Sequence, residues 1–115
     1  MFLLLGIGAT AEIGAQRLEE TEVVNQVLFT KIDKFYNYIL AHPSLTSDEK
    51  EMIINSQIGW QDNYEREAIR FKIRNCTDDN EGIPLEIEIW DFKNREAEAR
   101  MKILKNICDE LDTRL

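Results

Sequence analysis

The stretch RFKIRNCTDDNEGIPLEIEIW, residues 70–90, decides how this chain is read. Arg70, Lys72 and Arg74 stand at alternate positions before it; Glu86 and Glu88 stand at alternate positions after the acidic bend TDDNEG. Between them Ile69, Phe71 and Ile73, and then Ile83, Leu85, Ile87 and Ile89, keep the same period of two. That period belongs to a half-buried strand, because on a helix neighbours two apart point to nearly opposite sides. The spacing predicts a β-hairpin with strands at about 67–76 and 83–91. Gly82 is free to take a positive φ in the turn. Lys72 would then face Glu86 and Arg70 would face Glu88, opposite charges that select a register.

A rival segmentation competes with it. Residues of about 12–41, 47–76 and 84–113 would make three helices of similar length, with Pro84 suited to a first helical position. Ile87, Trp90, Ala97, Met101, Leu104, Cys108 and Leu111 run through the last of them at heptad-like spacing, interrupted by Asn94. The expected fold class is therefore α+β, with two N-terminal helices, the hairpin and a C-terminal helix; the alternative is an all-α three-helix bundle.

Outside the disputed stretch helices dominate both readings. Val24, Val27, Leu28, Ile32, Phe35, Ile39 and Leu40 recur at helical spacing from about Glu12 to Leu40. That helix should end by Ala41, since His42 precedes Pro43 and a residue before proline leaves the α region. Thr46 with Glu49 three residues on is a capping box, so a second helix starts at about Ser47. Its end is open, because Gly59 and the polar run at 61–63 weaken the pattern. The segment from Asn94 to Leu111 is a helix with Ala97, Met101, Leu104, Cys108 and Leu111 facing in.

The 115 residues fit a single domain, 1–115, with a net charge of −8. The charge is unevenly placed: +3 over residues 66–76 and −6 over residues 77–91, which hold no basic residue. An acidic chain repels nucleic acid and anionic membrane surfaces, so neither is an expected partner. A protein with a basic surface fits better, which suggests a small binding module of the inhibitor or immunity type. Its expected contact residues are Asp78, Asp79, Glu81 and Asp91. The other function class is a self-associating assembly subunit, a homodimer formed by sheet extension or through the apolar opening MFLLLGI. That opening has no basic n-region, and its apolar run of about nine residues is far below the roughly 20 that span a bilayer. It reads as buried or oligomer-facing, and the expected location is cytoplasmic.

No catalytic residue, cofactor or metal site is expected. Gly6, Gly8 and Gly14 after an apolar run resemble a dinucleotide fingerprint over about a dozen residues. The second strand of such a unit would fall where the helical pattern is strongest, so the glycines read as a packed, small-residue turn. His42, the only histidine, reads as a helix-end cap. Asp78, Asn80 and Gly82 imitate a calcium loop, but its terminal glutamate position falls on Ile89. Cys76 and Cys108 have no ligand spacing and read as free thiols. Trp60 and Trp90 read as core anchors.

Overall fold

The computed structural model describes the backbone of residues 2–114 and the side chains from Ile13 to Arg114. It consists of three helices, α1 (Phe2–Ala41), α2 (Ser47–Asn75) and α3 (Ile83–Thr113), in an elongated body 66 × 26 × 15 Å. No strand occurs among the described residues, and the hairpin at 67–76 and 83–91 is not formed. The all-α bundle is the architecture.

The correction has a physical cause. Three apolar residues at alternate positions satisfy a strand only if all three share a buried face. In α2 only Phe71 turns inward, stacking on Phe92 of α3 with ring centroids 4.7 Å apart. Ile69 and Ile73 remain exposed on the other side. The expected cross-strand ion pairs are absent too. Arg70 pairs with Glu67 one turn back on its own helix, and Glu88 accepts from Asn80 Nδ2 at 3.2 Å. A helix bonds its own backbone groups, whereas a lone hairpin leaves two open edges. With the hairpin goes any dimer built by extending its sheet.

The turn chemistry survives in another role. Gly82 has φ +85° and serves as the N-cap of α3, with Pro84 in the first turn, where a missing N–H leaves no helical bond unmade. Asn80 organises the connection. Its Oδ1 accepts from the Thr77 amide at 2.8 Å, its Nδ2 donates to the Asn75 carbonyl at 2.6 Å, and its own carbonyl accepts from the Leu85 amide at 2.8 Å.

The expected end of the first helix and start of the second hold. Helix α1 ends at Ala41, and Thr46 and Glu49 form the capping box, with bonds of 3.2 and 3.1 Å. Gly59 and the polar run do not interrupt α2, which continues to Asn75. Helix α1 begins well before Glu12, so Gly8 and Gly14 lie in a helix and not in a turn.

Helices α1 and α3 run parallel and pack closely, with α2 returning antiparallel between their ends. Phe35 meets Cys108, whose thiol donates to the Phe35 carbonyl at 3.7 Å, and Thr21 meets Asn94, whose Nδ2 donates to the Thr21 carbonyl at 3.0 Å. The core comprises Ile32, Ile39, Tyr64, Ala97, Leu104, Cys108 and Leu111. Ala97 is wholly buried, and its small side chain allows the close approach of α1 and α3. Helix α2 reaches α1 mainly through long aromatic side chains. Phe29 lies 5.8 Å from Trp60 and 5.3 Å from Tyr64, centroid to centroid. Val24 and Val27, expected in the buried stripe, stay half exposed, and Asn25 takes the inward position instead, donating to the Tyr64 hydroxyl at 3.0 Å. Buried polar contacts of this kind fix the relative register of helices more than they add stability.

Candidate interaction surface

The parallel packing of α1 on α3 leaves a groove open near the start of α3. Gly14 of α1 approaches Ile83, and Ile13, Ile83, Pro84 and Ile87 form the apolar wall of a cleft of about 570 Å³. Helix α2 has already ended at Asn75, so nothing of it covers this first turn of α3. Ile13 is 66% exposed. The rim carries Glu88, Asp91 and Arg17, with Arg17 and Asp91 at 3.9 Å in a long, solvent-exposed ion pair. Exposed pairs of this kind contribute little and exchange readily.

The four expected contact residues divide here. Asp78, Asp79 and Glu81 lie together, exposed, on the α2–α3 connection. Asp91 lies two turns into α3, on the groove rim opposite Arg17, and is half buried. The apolar groove beside them escaped the sequence reading, because Ile13 and Ile83, 70 positions apart in the chain, are brought together only by the parallel placement of α1 and α3.

A second surface lies on the outer side of α2. Ile69 and Ile73, one turn apart, are 61% and 72% exposed. Arg66, Arg70 and Arg74 share this end of the helix; Glu67 pairs with Arg70, and with Arg74 at 3.9 Å. The result is a basic, apolar helix face.

At the opposite end of the bundle a polar cluster joins the end of α1 and the connection after it to the end of α3. The His42 ring is buried, with Nε2 3.1 Å from Asp112 Oδ1. Its Nδ1 accepts from the Ser44 amide at 3.2 Å and lies 2.8 Å from Ser44 Oγ. Accepting an amide proton at Nδ1 leaves the ring proton on Nε2, donated to Asp112. The Tyr38 hydroxyl donates to the same Asp112 oxygen. These bonds hold the Asp112 carboxyl below the usual carboxylate range, Tyr38 contributing most, and push the Tyr38 phenol up. Ser44, His42 and Asp112 stand in line, but with Nδ1 toward the serine and Nε2 toward the aspartate, the reverse of a Ser–His–Asp relay, and the loop amides around Ser44 have partners of their own. Ser44 N–H goes to His42, Leu45 N–H to the His42 carbonyl at 3.2 Å, and Thr46 N–H to Glu49. All three are engaged within the connection itself and the start of α2. His42 joins the end of α1 to the end of α3, a larger structural role than the helix-end cap expected of it.

Arg100 is buried between α2 and α3. Its Nε donates to Gln57 Oε1 at 2.9 Å and its Nη2 to Ser56 Oγ at 3.2 Å, with the guanidinium 5.8 Å from the Trp60 ring. Burial pulls its pKa below the ordinary arginine value. Trp60 packs against the core, while Trp90 carries the Lys93 ammonium 4.3 Å from its ring.

Among the described residues no group of three or more His, Cys, Asp or Glu is placed to hold a metal ion. Asn80 Oδ1, a ligand position in the calcium-like pattern, is occupied by the Thr77 amide. Cys76 is exposed at the end of α2 and Cys108 is buried in α3, both unbridged. No described helix is long and apolar enough to cross a membrane. The side chains of residues 1–12, including the MFLLLGI segment, lie outside the described residues. Comparison with known proteins finds no matching family model, no curated protein of similar sequence and no solved structure that matches.

Proposed function

We propose that this protein is a small, non-catalytic binding module that receives a basic amphipathic helix of a protein partner. The observation that supports this reading is the open groove of Ile13, Ile83, Pro84 and Ile87 beside an acidic rim and loop. Apolar walls supply affinity for the apolar stripe of a helix, and the carboxylates supply orientation and capture rate. Glu88 and Asp91 meet the basic flank of the ligand. Asp78, Asp79 and Glu81 act at longer range from the neighbouring connection. The same negative charge disfavours nucleic acid and anionic lipid as partners. A cytoplasmic location is part of this proposal, and the two unbridged thiols are consistent with a reducing compartment.

The test uses a lysine- and leucine-rich amphipathic helical peptide as probe, followed by stopped-flow fluorescence. Replacing Asp78, Asp79 and Glu81 together by Ser should slow association at low salt by roughly tenfold and leave dissociation nearly unchanged. Replacing Ile13 and Ile83 by Ser should instead speed dissociation. Binding that ignores both sets of substitutions removes the groove and its acidic surroundings as the site.

A further inference from the structure

Resting on that reading, we infer that the groove's partner is a second copy of this chain, docking through the outer face of its own α2. The chemistry that the groove fits, a basic helix with an apolar stripe, is present in the same sequence. Ile69 and Ile73 form the stripe, and Arg66, Arg70 and Arg74 flank it. Residues 66–76 carry +3, against −6 for residues 77–91 that begin the groove side.

The two surfaces cannot satisfy each other within one chain. Ile69 and Ile73 lie on the side of α2 away from Phe71 and Tyr64, which face the core. The groove lies between α1 and α3. Glu67 is the only acidic residue paired with the arginines of this face among the described residues, and Arg66 has no ion pair there. Two unlike patches on one chain make a heterologous contact, which closes only if two copies exchange helices reciprocally and otherwise extends to further copies. Either arrangement buries two β-branched side chains that a lone chain leaves in water, and brings opposite charges together around them.

Charge reversal in trans tests the inference. Arg66→Glu with Arg70→Glu reverses the helix face, and Glu88→Lys with Asp91→Lys reverses the groove. Sedimentation of the intact wild-type chain should show mass above the monomer, rising with concentration through the micromolar range and falling with added salt. Each double variant alone should lose at least tenfold in association, because like charges then meet. An equimolar mixture should regain it, since the reversed helix of one complements the reversed groove of the other. Circular dichroism checks the fold of each variant; Ile69→Ser with Ile73→Ser replaces a helix-face variant that fails to fold and should also yield monomer.

A wild-type chain that stays monomeric at high micromolar concentration overturns the inference, as does a mixture that stays dissociated. Self-association that survives both reversals but vanishes on deleting residues 1–8 overturns it in favour of the N-terminal segment. If the chain is monomeric yet still captures the lysine- and leucine-rich probe in its groove, self-docking falls while the binding-module reading stands. If the probe does not bind, that reading falls as well.

Discussion

Arg114, the residue that caps α3, grips Glu49 of the α2 capping box with both guanidinium nitrogens, at 2.8 and 2.7 Å. One carboxylate thus serves the start of α2 and the end of α3. Its pKa is lowered to about 2, by the Arg114 hydrogen bonds first and then by the Thr46 amide. A depressed carboxylate stabilises the fold above its unfolded pKa, and that contribution is lost as pH falls through the folded value. For Glu49 the window runs from the ordinary 4.5 down to about 2. Asp112, also lowered, acts with the same sign. The urea midpoint should fall steadily as pH is taken from 5 to 2, and Arg114→Ala should flatten that fall by raising the Glu49 pKa.

His42 should matter to stability and not to binding. Replacing it by Ala strands the Ser44 amide and removes a donor from Asp112, a loss of about 1–3 kcal/mol for buried polar groups left unpaired. The groove lies at the other end of the helices, so affinity for the amphipathic probe should stay within about twofold of wild type while the chain is folded. Urea unfolding and a probe titration of the same variant separate the two effects.

Arg100 and Gln57 should respond unequally. Gln57→Leu leaves a buried guanidinium without its main acceptor and should cost about 2 kcal/mol or more. Arg100→Met removes the charge itself and fills a similar volume, so it should cost less, since replacing a buried charge by an apolar side chain is often near neutral. Equal losses, or the reverse order, would mean that the Arg100 charge contributes stability of its own.

Two glycines should give opposite signs. Gly59 lies inside α2 with open space where a Cβ would go, so Gly59→Ala should stabilise by up to about 1 kcal/mol. At Gly82 φ is +85°, and although there is room for a Cβ the backbone itself disfavours one, so Gly82→Ala should cost about 1 kcal/mol or more. Thermal unfolding of the two variants measures the difference directly.

These boundaries also show what was legible from residues alone. The Thr46–Glu49 box, the stop at Ala41 before Pro43 and the inward row of Ala97, Leu104, Cys108 and Leu111 depend on neighbours within two turns, and all stand. The reading of 67–91 failed because Ile69, Phe71 and Ile73 alternate without sharing a buried face, and the contact that reveals this is remote. Phe71 finds its partner at Phe92, twenty-one positions on. The candidate site was legible only in its charge. Asp78, Asp79 and Glu81 are exposed on the connection as expected, whereas the apolar wall beside Asp91 depends on α1 lying alongside α3, which no local pattern encodes.

The most direct test of the binding account is a backbone amide NMR titration of the labelled full chain with the lysine- and leucine-rich helical peptide. The account predicts that shift changes concentrate at Ile13, Gly14, Arg17, Ile83, Ile87 and Asp91, and weaken as salt is raised. Changes confined to the outer face of α2 with none at the groove, or none at all at millimolar peptide, would contradict it.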